Sequence, residues 1–240
     1  MRNVLLQYVD IGIIIVRRLA ENTDNDFTTT AMSKLLHIQS SPRIGRSASI
    51  AVAEHFIAAY RAKHPQDTVE TLNLWEADLP EFDGTTIDAK YAVLHGQTHT
   101  PAELEAWQAV VRIADHFKSA DKYLFSLPMW NFGIPYKLKH FIDVLVQPGL
   151  AFSFTPEAGY KGLITGKPAV AIYARGGAYG PGSGAERYDA QSTYFRQLLG
   201  FIGFTDIKEI FVEPTLAGLT AKDNAVAAGN LKAAELASTI

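Results

Sequence analysis

The sequence predicts an α/β fold in which one parallel sheet is covered by helices on both faces. Three observations predict it. From Lys34 onward, short apolar runs alternate with longer amphipathic ones. Two of the short runs, KYLFSL at 122–127 and PAVAIYA at 168–174, are apolar almost throughout, as strands buried on both faces are. The polar and glycine-rich stretches fall after the first, third and fourth strand candidates. Those are the carboxyl ends, where ligands bind in open α/β sheets.

The elements follow in order. KLLHIQ at 34–39 is a first strand, stopped by Ser40-Ser41-Pro42. Residues 47–64 carry Ile50, Ala51, Ala53, Phe56, Ile57 and Tyr60 in a helical rhythm, and Pro65 follows. Residues 68–74 alternate as a second strand, and 80–99 read as a loop with room for a short helix. Thr100-Pro101-Ala102-Glu103 is a helix start, with Thr as N-cap, Pro at the first helical position and Glu at the third. That helix runs to about Lys118, and the strand at 122–127 ends on Pro128. A helix over about 135–146 presents Leu138, Phe141, Ile142 and Leu145 on one face. The strand at 168–174, a helix at 187–201, a strand at 207–212 and an alanine-rich helix at 221–238 complete the chain. Five strands separated by helices imply the parallel sheet.

Residues 1–31 read as an extension outside this fold. The apolar run at 9–16 is broken by Asp10 and is far shorter than the roughly 20 residues a spanning helix needs. Arg17 and Arg18 follow that run instead of preceding it, unlike a signal peptide. Residues 32–240 are read as a single domain. The 240 residues are 48% hydrophobic and 20% charged with a net charge of −3, which gives no electrostatic footprint for nucleic acid. The absence of cysteine excludes disulfides, zinc–thiolate sites and thiol nucleophiles.

Three loops carry candidate chemistry. Residues 40–49 (SSPRIGRSAS) bring hydroxyls and free N–H groups to a helix start, where phosphate binds well, and Arg43 and Arg46 add charge. The loop has neither the triphosphate P-loop pattern nor the dinucleotide fingerprint, and the alternative is that Ser47 only caps its helix. Pro128-Met129-Trp130-Asn131-Phe132-Gly133 offers apolar surface for a flat ring and an amide to read its edge; the alternative is a hydrophobic plug. Ala174-Arg175-Gly176-Gly177 and the glycines after it let backbone N–H groups approach a ligand, or else form a flexible surface loop. The seven histidines show no metal-ligand spacing, and no G-x-S-x-G nucleophile motif is present. No metal site and no catalytic side chain is assigned.

Together, LLHIQSSPRIGRSAS, PMWNFGIPYKLKHFID, FSFTPEAGYKGLITGKPAVAIYARGG and LLGFIGFTDI resemble the FMN-dependent NADH azoreductases, which also reduce quinones. The likeness runs from about Met32 to about Pro214. It implies a flavodoxin-like three-layer α/β/α sandwich with a five-stranded parallel sheet in the order 2-1-3-4-5. It also implies a cytoplasmic homodimer with FMN near the subunit boundary. Carried onto this chain, the phosphate would meet Ser41 and Ser47, Ala48 and Ser49. The isoalloxazine would lie on Met129, Trp130, Asn131 and Phe132, and Ala174, Arg175, Gly176 and Gly177 would meet its pyrimidine edge. Ala48 stands where the family often has Gln, Ala174 where it often has Ser, and Trp130 where Tyr is frequent. Each alanine removes a possible hydrogen bond worth about 0.5–1.5 kcal/mol net.

The implied reaction is ping-pong: NADH or NADPH reduces the flavin and leaves, then a quinone or azo compound takes its place. A quinone needs one round, and an azo bond needs two to become two amines. No nucleic-acid or membrane partner is implied. The alternative is a flavodoxin-like electron carrier or flavin-binding protein without turnover. Against it stands the insertion at 148–166, whose Phe152, Phe154 and Tyr160 suit an acceptor pocket, a dimer seam or core packing.

Overall fold

The structure, a computed structural model, describes residues 32–240; the extension read at 1–31 lies outside the described residues. The chain forms β1 (Lys34–Gln39), α1 (Ala48–Lys63), β2 (Thr68–Asn73), α2 (Gly84–Leu94), α3 (Pro101–Lys118) and β3 (Lys122–Pro128). It continues through α4 (Tyr136–Leu145), β4 (Phe152–Thr155), β5 (Gly159–Gly162), β6 (Ala169–Ala174), α5 (Ala190–Ile202), β7 (Ile207–Val212) and α6 (Leu219–Ala237).

The main sheet has five strands in the order β2-β1-β3-β6-β7, and every pairing is parallel. Without the β4–β5 hairpin this is the order 2-1-3-4-5. Side chains alternate across the sheet and build two cores. Leu36, Tyr123 and Phe125 face Phe117 of α3, Phe141 of α4 and Phe195 of α5. Leu35, Leu124, Val170 and Ile172 face Val52 and Phe56 of α1 and Ala233 of α6. β3 and β6 read as continuous apolar runs because both of their faces are buried.

The capping box at α3 forms as its sequence requires: Glu103 N donates to Thr100 Oγ1 at 3.3 Å, and Thr100 N donates to Glu103 Oε2 at 2.7 Å. Two elements differ from the sequence reading. The 80–99 stretch holds an 11-residue helix, α2, started by Asp83, whose Oδ1 accepts from Thr86 N at 3.0 Å. It buries only Thr86, Ala89 and Ala92, so its apolar periodicity is faint. The 148–166 insertion contains an antiparallel hairpin, β4–β5, with Phe154 opposite Tyr160. Its foot docks on the end of α5, where Ile164 N donates to Ile202 O at 2.8 Å.

Hydrogen bonds past the strand ends gather the loops on one rim. Ser40 N donates to Ser126 O, Met129 N to Ala174 O, and Arg175 N to Val212 O. The chain after β1, β3, β6 and β7 therefore leaves the sheet side by side.

Candidate functional site

A cleft of about 320 Å³ opens on this rim. One end is lined by Ser41, Arg43, Arg46, Ser47 and Ala48, and the other by Pro128, Met129 and Trp130. Ala174 and Gly176 line it from the β6 turn, Thr215 and Leu216 from the loop after β7, and Lys222 from α6.

The first end is made by the start of α1. Ser47 is the N-cap, and its Oγ accepts from Ile50 N at 3.4 Å. The first N–H groups of a helix have no intrahelical acceptor, so those of Ala48 and Ser49 remain available beside the Ser41 and Ser47 hydroxyls. The Ser49 side chain turns inward: it is fully buried, and its Oγ lies 3.1 Å from Ser47 Oγ. Arg43, Arg46 and Lys222 form no ion pair among the described residues. No carboxylate of the described residues lines the cleft.

The other end is a tight hairpin. Trp130 and Gly133 exchange backbone hydrogen bonds at 3.0 and 2.9 Å around Asn131 and Phe132. Both central residues have positive φ, 47° and 67°, as a type I′ turn demands. That conformation is costly for a phenylalanine, and strain of this kind gathers at ligand sites. Asn131 and Phe132 sit at the exposed tip of the hairpin, with the Phe132 ring 5.1 Å from that of Tyr188. Trp130 packs with Trp75 and Tyr136, and Trp75 Nε1 donates to Ser40 O at 2.9 Å, tying this aromatic wall to the first loop.

The third loop is braced from within. The Arg175 side chain is 1% exposed and points away from the cleft. Its Nη2 lies 2.9 Å from Asp189 Oδ2 and its Nη1 3.3 Å from Glu213 Oε2, while Nε donates to Gln191 Oε1 at 3.1 Å. The guanidinium carbon sits 4.4 Å from the centre of the Phe211 ring. Burial pushes the Asp189 carboxyl up, but hydrogen bonds from Ser192 and the charge of Arg175 outweigh it and hold that carboxyl below the ordinary range. Glu213 also accepts from Tyr179 N and Gly180 N. The turn therefore offers the cleft Ala174 and Gly176, while Gly177 is exposed. A Cβ at Gly176 would lie 2.7 Å from Leu216 Cδ1, the tip of an exposed side chain that a larger residue would displace toward solvent.

Of the residues expected at the site, Ser41, Ser47, Ala48, Met129, Trp130, Ala174 and Gly176 line one cleft; Ser49, Asn131, Phe132, Arg175 and Gly177 lie beside it. Thr215, Leu216 and Lys222 were not anticipated. The signal for the first two was present, since they follow a strand whose carboxyl end reaches the same rim. Behind the cleft, His37 is buried with Nε2 2.9 Å from Ser126 Oγ, and burial lowers it to about 4. Among the described residues, no cluster of three or more histidine or acidic side chains is placed to hold a metal, and no helix is long and apolar enough to cross a membrane.

Hydroxyls, free amides and unpaired cations at one end, with a flat aromatic wall at the other, form a donor set suited to a heteroaromatic ring carrying a phosphate. Comparison with known proteins agrees. A family model described as "Flavodoxin-like fold" matches residues 33–236. An FMN-dependent NADH:quinone oxidoreductase of Desulfotalea psychrophila is 50% identical over 209 residues, 87% of this chain and 98% of the relative. One from Nitratidesulfovibrio vulgaris is 51% identical over 187 residues, 78% of this chain and 89% of that one. The crystal structure of an azoreductase from Bacillus anthracis superposes with a TM-score of 0.79 at 31% identity, covering 87% of this chain and all of that one. A further structure from that species, an FMN-dependent NADH-azoreductase in complex with FMN, gives a TM-score of 0.76 at 29% identity, covering 86% and 100%. The rim loops, the strand order and these likenesses together place the chain in the flavodoxin-like family of FMN-dependent NADH:quinone oxidoreductases.

Proposed function

We propose that this protein reduces quinones and azo compounds with NADH, using FMN held in the rim cleft. One observation carries the reading: the phosphate-suited start of α1 and the aromatic hairpin after β3 line the same cleft. Bound FMN supplies the two-electron relay between the nicotinamide and the acceptor. The chain's own residues bind and orient it. Ser41, Ser47 and the Ala48 and Ser49 amides hold the phosphate; Met129, Trp130, Asn131 and Phe132 support the ring; the 174–177 turn presents backbone to the pyrimidine edge. Where Gln and Ser are frequent in the family, Ala48 and Ala174 leave this work to N–H groups.

Donor and acceptor take turns over the ring in a ping-pong cycle. A quinone takes up two electrons and two protons, and an azo bond four of each to yield two amines. Water supplies the protons, so no side chain is given the role of acid. The working unit is a homodimer in the cytoplasm. Phe154, Tyr160 and Phe201 support the dimer, since their rings form an exposed apolar cluster on the β4–β5 hairpin and α5. The test is anaerobic addition of NADH to the flavin-loaded protein, followed by menadione or methyl red. Bleaching and then recovery of flavin absorbance is expected. A flavin that NADH leaves oxidised would reduce the protein to a carrier, and a chain that ignores FMN would end both readings. Light scattering at monomer mass would remove the dimer.

A further inference from the structure

We infer that Lys222, in the first turn of α6, reads the flavin phosphate and stands in for the side-chain contact that Ala48 cannot make. The inference rests on the flavin reading above. Lys222 comes from the far end of the sequence, yet it lines the same cleft as Ser41, Ser47 and Ala48. It also lines an adjoining groove of about 420 Å³ that shares Arg46, Ser47 and Ala48, so it stands where the two meet, at the start of α1. Asp223, its neighbour in sequence, lines only the groove. No carboxylate pairs with Lys222 among the described residues.

Three unpaired cations and a helix N-terminus around one cavity repel one another unless an anion joins them. Arg43 and Arg46 are exposed and free to swing into water, whereas Lys222 is half-buried, so less freedom is lost when it is fixed on a ligand. Ala48 offers only a methyl group where a longer polar side chain would reach the phosphate. A lysine acting as a point charge from the opposite wall fills that role without bidentate geometry.

The experiment titrates the full chain, stripped of flavin, with FMN and separately with riboflavin, reading flavin fluorescence. Lys222→Met keeps the stem and removes the charge. FMN affinity should fall about tenfold, as for loss of one charge-assisted contact, while riboflavin affinity stays within about twofold. Lys222→Arg should restore most of the FMN affinity, and FMN binding by Lys222→Met should depend less steeply on salt. Equal losses for both ligands, or no loss for FMN, would overturn the inference. Riboflavin bound by the wild type as tightly as FMN would also overturn it. If Lys222→Met does not fold, Lys222→Gln carries the same comparison. A wild-type chain that binds neither flavin would instead sink the flavin reading itself.

Discussion

Replacing Arg175 by methionine should cripple stability before it touches chemistry. The substitution keeps most of the apolar stem and removes the cation paired with both Asp189 and Glu213, whose side chains are 15% and 13% exposed. Removing one partner of a buried ion pair costs about 3–5 kcal/mol, because the remaining charge stays buried. Asp189 keeps its Ser192 contact and Glu213 keeps the Tyr179 and Gly180 amides, which argues against a loss beyond that range. For a domain of this size the melting temperature should fall by roughly 6–20 °C. Arg175→Lys keeps the charge but cannot span Asp189, Glu213 and Gln191 at once, so an intermediate loss is expected. The pH dependence separates charge from packing. In wild type the Asp189 carboxyl is held low, so its contribution is present above the unfolded value and is lost as pH falls through the lower folded one. In the variant that carboxyl loses its counter-charge and takes up a proton more readily. The gap between the two proteins should then be widest at neutral pH and shrink toward about pH 4. Urea melts of the flavin-free proteins at pH 7 and pH 4.5 read this directly. A variant within about 1 kcal/mol of wild type at pH 7 would refute the argument. So would unchanged apoprotein stability together with lost FMN binding, since Arg175 would then face the ligand.

Three further outcomes follow from the same geometry. His37, lowered by burial from about 6.5 to about 4, makes the unfolded chain the better proton acceptor between those values. This histidine should therefore contribute about 3 kcal/mol to the wild-type loss between pH 6.5 and pH 4, beside that of Asp189, and His37→Leu removes that share of the slope whatever its absolute stability; parallel slopes in urea melts would contradict this. Phe132→Gly relieves left-handed strain of about 1–2 kcal/mol and gives back part of it in chain entropy, so stability should change by less than about 1 kcal/mol while FMN titrations weaken. A fall in melting temperature beyond about 5 °C would mean that the ring is a packing anchor on Tyr188. Gly162→Ala would place a Cβ 2.3 Å from Gly203 N, a backbone atom that cannot step aside. Faster proteolysis within the β4–β5 hairpin is expected, and unchanged cleavage would show that the hairpin does not depend on that contact.

The sequence was most legible where local chemistry and burial agree. The α3 capping box and the apolar runs of β3 and β6 each carry their own signal, whereas the order of strands came with the family resemblance and not from any local signal. α2 and the β4–β5 hairpin were harder, for physical reasons. α2 buries small residues and Thr86, which leaves little periodicity. The hairpin strands span four residues each, and two glycines flank Tyr160 and Lys161. At the site, the loops that the sequence marked do converge, but the direction of a side chain is a tertiary property. Nothing near Arg175 announced that Asp189 and Glu213, 14 and 38 residues away, would turn it inward. Nor could Lys222 be tied to Ala48 before α6 was packed beside α1.

That inward turn explains how a glycine-rich rim keeps its shape. Loops of this composition lose much entropy when ordered, and each buried backbone group needs a partner. Here the partners come from beneath: Glu213 takes two amides of the 179–180 segment, Arg175 O takes Thr215 N and Oγ1, and Trp75 holds Ser40 O. On the solvent side, by contrast, the side chains of Arg43, Arg46 and Lys222 have no ion-pair partner among the described residues. A cleft meant only to be closed by packing would pair these groups with nearby carboxylates, as Arg175 is paired with Asp189 and Glu213. Their concentration around one cavity, with no carboxylate of the described residues in its lining, biases the site toward a bound anion while the rim beneath is already set. Such preorganisation reduces the ordering cost of binding, so affinity can rest on backbone N–H groups and separated charges even where alanines replace polar side chains.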